Sequence, residues 1–341
     1  VTRAYPFETK GDYFMNKKSV IGFMFVTIIF ITGCGNNSTP TPTPEPPVIK
    51  IAWVAWPGAY PLMLIEELGL DVKHGVRVDA IFYKDVIGIV NDLETSKIQG
   101  SITSLDDVIK QNNRHPNSTK ILFVGDKTQA DFVVAAPDIK RIADLKGKRV
   151  GVLLGTTFGE LMVQRMLEDH GLSVKDVELV NMDASDVPDA IPQLIDAGAT
   201  WEPHLSKAKA NGLIELYSDA NDLTLPLSLV LALETKTIEE HPEAVRGLVA
   251  AWFEAVALWQ ADPEKYGPLV AKVVGGTAEE AANSQADFIS LEQNIQRFAD
   301  ESLTKEAQVA TDFLISTGQL NRAPDIKTLF DGSFLQQIKE N

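Results

Sequence analysis

One cysteine, Cys34, stands in a chain of 341 residues. A chain so poor in thiols cannot close an internal disulfide, so its stability has to come from an apolar core. Histidine is scarce too. His74, His115, His170, His204 and His241 lack zinc-ligand spacing to one another. Basic side chains are outnumbered, 31 Lys and Arg against 47 Asp and Glu, for a net charge of −16. No Lys/Arg-rich tract interrupts that balance, which argues against nucleic acid and anionic lipid surfaces as partners. GxSxG, Walker A and GxGxxG patterns are missing as well. No enzyme activity, cofactor or metal is expected.

The apolar run at 20–31 is much shorter than the roughly 20 residues a spanning helix needs. It follows Met15-Asn16-Lys17-Lys18, and Gly33 precedes the cysteine. A basic start, a short apolar stretch and a small residue before a cut are the layout of a secretory signal. Residues 1–33 are therefore read as a signal peptide whose true start is Met15. Ile31-Thr32-Gly33-Cys34 resembles a bacterial lipobox, which implies that Cys34 carries lipid and tethers the chain to a membrane. Residues 34–47 are rich in Thr and Pro. Such sequence favours an extended polyproline conformation and acts as a stalk of very roughly 40 Å.

About 290 residues remain, enough for one large domain or two lobes. Strand and helix signals alternate through them. Ile49, Ile51 and Trp53 fall on one face of a strand, and 76–81 alternates as a second. Val86, Ile89, Val90 and Leu93 make a helical stripe. Ile102 sits in a short strand before a helix that can begin at 104–107. Further strands are expected at 121–124, 132–135, 149–153, 177–180, 199–201 and 227–233. Thr157 and Glu160 have capping-box spacing. After His241 the chain reads as helical, with Val245, Leu248, Trp252, Val256 and Trp259 on one stripe. The alternation implies an α/β architecture with largely parallel sheets.

WPGAYPLMLIEELGL (56–70), IADLKGKRVGVLLGTTFGELMVQRML (142–167), GLSVKDVELVNMDASDVPDAI (171–191), IDAGATWEPHLSKA (195–208) and EEHPEAVRGLVAAWFEA (239–255) occur in order. Together they resemble solute-binding proteins of the nitrate/sulfonate/taurine (bicarbonate) class of ABC transporters, over 48 to about 320. The resemblance implies a two-lobed periplasmic-binding (type 2) fold. Each lobe would be a mixed, mostly parallel sheet flanked by helices, with further helices at the C-terminus. Lobe 1 is expected from 48–133 and 234–341, and lobe 2 from 134–233, with crossings near 132–136 and 229–233. A monomer is implied, held outside the cell membrane by its lipid. It would capture a sulfonate-, taurine- or nitrate-like solute and pass it to an ABC permease and its ATPase.

In open α/β sheets, ligands sit beyond the carboxyl ends of strands. Four loops occupy such places, at 56–60, 104–107, 155–157 and 200–202. Candidate ligand contacts are Trp56, Gly58, Tyr60, Ser104, Asp106, Asp126, Gly155, Thr156, Thr157, Trp201 and Glu202, with Asp131 nearby. Helix N-termini there suit an anion, and glycine lets backbone approach closely. Each has a plainer reading. Thr157 can cap its helix, Asp106 and Asp107 can be first-turn acids, Glu202 can pair within the scaffold, and Trp53 can be core. The loops carry no arginine. Aromatic faces with carboxylates also suit an amine or a heteroaromatic cation such as a thiamine-precursor pyrimidine. A biosynthetic enzyme on the same fold is the reading from a different class.

Overall fold

The computed structural model describes residues 45–127, 130–220, 225, 226, 228–284 and 286–340. The signal peptide, Cys34 and most of the stalk lie outside the described residues. Among the described residues no helix is long and apolar enough to cross a membrane.

Two five-stranded sheets form the body. The first contains β1 (Val48–Trp53), β2 (Arg77–Phe82), β3 (Gly100–Ser104), β4 (Thr119–Asp126) and β10 (Leu229–Glu234). Its order is β2-β1-β3-β10-β4, and β10 alone runs against the other four. The second contains β5 (Phe132–Ala135), β6 (Arg149–Val152), β7 (Glu178–Asn181), β8 (Ala197–Thr200) and β9 (Ile214–Ser218). Its order is β7-β6-β8-β5-β9, with β5 the reversed strand. Each reversed strand is the first the chain enters after changing sheets.

The changes of sheet fall at 127–131 and 219–228, which corrects the sequence expectation. Phe132–Ala135 pairs with β8 and β9, so it lies wholly in the second sheet. Leu229–Glu234 pairs with β3 and β4, so residues 229–233 belong to lobe 1 and not to lobe 2. Both runs are apolar and almost wholly buried, and each reads as a strand. Apolar content marks a buried strand but does not say which sheet takes it up.

Burial on both faces explains the helical layers. Ile49, Ile51 and Trp53 face one core, while Ala52 meets Ile89 and Ile98 on the other side of the sheet. The long helix Pro242–Ala261 has Pro at its first turn, where a missing N–H does no harm. It buries Val245, Leu248, Trp252, Val256 and Trp259 against β1 and the helix Tyr60–Glu67. The expected stripe is core. Gly247 permits the approach, because a Cβ there would run into the carbonyl oxygen of His74. Helix Ser302–Ser316 packs on helix Leu105–Arg114. Its Leu303, Ala307 and Phe313 share one core with Val124 of lobe 1 and Val150 and Met162 of lobe 2. One side of the molecule is thereby bridged.

Gly247→Ala is expected to destabilise the fold by about 1–3 kcal/mol, because backbone cannot yield as a side chain can. Thermal unfolding should show a lower Tm, and an unchanged Tm would contradict this packing.

Candidate functional site

The carboxyl ends of β1, β3, β6 and β8 face one another across the lobes. Between them lies a cavity of about 70 Å³, room for a few waters or one small solute. Trp56, Phe158 and Trp201 give it aromatic walls, and Val54, Ile89 and Leu229 add aliphatic ones. Its polar lining is Thr103, Ser104, Asp107, Asp131 and Thr157.

The aromatic walls are held from behind. Trp56 Nε1 donates to Asp126 Oδ2 at 2.8 Å, and the backbone N–H of Asp287 donates to Asp126 Oδ1 at 2.8 Å. Gly58 makes room for this, since a Cβ there would collide with the Asp126 side chain. Trp201 Nε1 crosses to the carbonyl of Ala55 in lobe 1 at 3.1 Å. Trp201 also meets Trp56 edge to face at 6.2 Å and Phe158 at 5.3 Å.

The polar wall is built on helix Leu105–Arg114. Its acids lie in the first turn, as the sequence suggested, but Asp106 is fully buried. Lys110 Nζ reaches Asp107 Oδ1 at 2.7 Å, Asp106 Oδ2 at 3.0 Å and the carbonyl of Gly155 in lobe 2 at 3.1 Å. Thr157 Oγ1 of lobe 2 donates to Asp106 Oδ1 at 2.9 Å. Thr103 and Ser104 hydroxyls donate to Asp107 Oδ2 at 2.8 and 2.9 Å. Burial pushes the Asp107 carboxyl up, but Lys110 and the two hydroxyls outweigh it and hold the group below the usual range.

Asp131 is different. It begins lobe 2, is 4 % exposed, and lines the cavity. Its backbone N–H donates to Asp219 Oδ1 at 3.1 Å, and among the described residues no hydrogen bond reaches its own carboxylate. Burial first, then the charges of Asp219 and Asp126, raise its pKa well above the ordinary carboxylate value.

Of the sequence candidates, Trp56, Ser104, Thr157 and Trp201 meet in this cavity. The others do not line it. Tyr60 sits in the lobe 1 core, edge on to Trp259 at 5.6 Å. Gly58 and Asp126 stand behind Trp56. Asp106 and Gly155 are engaged with Thr157 and Lys110. Glu202 turns back on its own helix, accepting from Ser206 N–H and Oγ at 3.1 Å each. The capping expectation shifts by one residue. Thr156 is the cap, accepting from Gly159 N–H at 3.2 Å, and Glu160 accepts from Gly155 N–H at 2.7 Å. Gly155 at φ +76° turns the chain so that Thr156 leads the helix and Thr157 faces lobe 1. Phe158, Thr103 and Leu229 joined the site without a sequence signal. Asp131, named from the sequence only as an acid near the loops, does line the cavity.

The sheet orders, with one reversed strand per lobe and a cleft at the strand ends, define a two-lobed periplasmic-binding fold. The chain belongs to the NMT1/THI5-like family, whose pattern matches residues 56–266. It is 24% identical to a Bacillus subtilis (strain 168) protein named as an aliphatic sulfonates-binding protein, over 95% of this chain and 97% of that one. Among solved structures, it resembles the periplasmic aliphatic sulphonate binding protein SsuA of Escherichia coli with a TM-score of 0.69. That match has 20% identity and covers 84% of this chain and 92% of that one. The periplasmic nitrate-binding protein NrtA of Synechocystis PCC 6803 matches with a TM-score of 0.70 and 14% identity, over 87% and 89%.

Asp131 also sets a pH dependence. An aspartate in an unfolded chain titrates near 3.9. Above that pH unfolding lets Asp131 ionise, so its contribution to stability falls as pH rises toward its own raised pKa. Asp131→Asn is therefore expected to raise Tm at about pH 7, with the gain shrinking toward about pH 4. A variant with lower Tm at neutral pH would show that the carboxylate is paired after all.

Proposed function

We propose that this chain is the extracytoplasmic solute-binding component of an ABC importer. It captures one small molecule between its lobes and delivers it unchanged to a permease and its ATPase, acting as a monomer held to the membrane by a lipid on Cys34. One observation carries the reading. Aromatic walls from both lobes, Trp56 from one and Phe158 and Trp201 from the other, line a cavity at the strand ends. A solute there gains contacts with both lobes only when they close, so closure and binding reinforce one another.

The sulfonate- and nitrate-binding proteins that this chain resembles support an anionic solute of that type, or taurine. The cavity supports a second reading. Its described lining holds two carboxylates and no Lys or Arg. That composition favours an aminic or heteroaromatic solute, such as a thiamine-precursor pyrimidine. Catalysis on the same fold is a different class of function, since one fold hosts many. Recovering the bound molecule unaltered after incubation speaks for binding, and turnover would speak for an enzyme.

The direct test is mass spectrometry of small molecules that copurify with the protein. Trp201→Ala should weaken retention of that molecule by tenfold or more, of order 1.4 kcal/mol. Calorimetry showing unchanged affinity would remove Trp201 from the site.

A further inference from the structure

The side-chain donors around the cavity are already committed. Thr103 and Ser104 hydroxyls donate to Asp107, the Thr157 hydroxyl donates to Asp106, and Trp56 and Trp201 donate to Asp126 and to the Ala55 carbonyl. The helix that follows Gly155 is likewise closed at its start by Thr156 and Glu160. An anion entering this space would meet hydroxyls and indoles whose hydrogens are in use. The acceptors differ from one another. Asp107 has Lys110 and two hydroxyls, and Asp126 has Trp56 and the Asp287 N–H. Asp131 lines the cavity, is nine-tenths buried, and accepts no hydrogen bond from a described residue. A carboxyl held largely out of water without a hydrogen-bond donor is destabilising, most of all when charged. A solute that brings an N–H relieves that penalty.

We propose that Asp131 is the anchor for a small organic cation with an N–H donor, which its carboxylate holds among the faces of Trp56, Phe158 and Trp201. The claim rests on reading this cavity as the solute site, and it names the class of solute. The charged groups facing Asp131 are Asp219 at the end of β9, Asp126 at the end of β4, and, across the cavity, Asp107 with its counter-ion Lys110. The surplus is negative, which repels an anion and draws a cation. A metal ion is a poorer match, because no group of three or more His, Cys, Asp or Glu among the described residues could hold one. Capture is coupled to a proton. Burial beside Asp219 and Asp126 favours the neutral carboxyl. On binding, the O–H proton leaves to solvent, and the carboxylate left behind accepts the N–H of the cation.

Three flat probes of similar shape and different charge test this by calorimetry: benzamidine (cation), benzamide (neutral) and benzenesulfonate (anion). Taurine and nitrate complete the set. Titrations in buffers of unlike ionisation enthalpy, between about pH 5 and 7, count protons exchanged. The expected result is benzamidine binding at least tenfold tighter than benzamide, with up to about one proton released per molecule bound and more released at lower pH. Asp131→Asn should remove the proton release and at least tenfold of the affinity, while melting no lower than the parent. Proton release by the parent protein is read without any variant, so a misfolded mutant cannot hide the answer. Binding of benzenesulfonate, taurine or nitrate with benzamidine silent would overturn the cation proposal and leave the solute-binding reading standing. Benzamidine binding without proton release would also overturn it. Silence of every probe would count against both.

Discussion

The lobes of this protein meet on a buried ion cluster that neither lobe completes alone. Lys110 sits between Asp106 and Asp107, all three on one helix of lobe 1. Lobe 2 supplies the remaining partners, the Thr157 hydroxyl for Asp106 and the Gly155 carbonyl for Lys110. Buried ion pairs are poor sources of net stability, because removing charge from water offsets most of the attraction. They are demanding about geometry, since each unfilled bond is costly. The cluster therefore specifies how the lobes align while adding little to hold them shut. When the lobes part, water can take over the bonds to Asp106 and Lys110. That near balance is what a protein needs if a small solute is to decide between open and closed.

The aromatic seam works alongside the cluster. Trp201 reaches Ala55 and packs on Trp56, so closure of the lobes and completion of the cavity wall are the same event. Asp126 and Gly58 set the angle of Trp56 from behind. The shared core under helix Ser302–Ser316 keeps one side of the molecule joined. Asp131 stands directly before β5 and Asp219 directly after β9, so both acids sit at one end of the second sheet.

Much of the fold was legible in the residues. Period-2 alternation found β1, Gly and Pro punctuation found the helices around 60–69 and after His241, and the Trp252 and Trp259 stripe was core. The crossings were misplaced because 132–135 and 229–233 are apolar whichever sheet takes them. The outline of the cavity was legible, since strand ends that bear Trp56, Ser104, Thr157 and Trp201 do converge. Its details were not. Tyr60, Glu202 and Thr156 have chemistry suited to a ligand, but each is consumed locally, by core packing or by capping its own helix. Whether a hydroxyl or carboxylate is spent or free depends on partners as distant in sequence as Asp106 and Thr157. Spacing carries no record of that.

The central claim is that a small solute closes two lobes around one cavity. Small-angle X-ray scattering on the protein, first stripped of any copurified molecule and then resupplied with it, tests this directly. A smaller radius of gyration on resupply, reversed when the molecule is removed, is the expected result. Superimposable scattering curves at saturating solute would contradict the account.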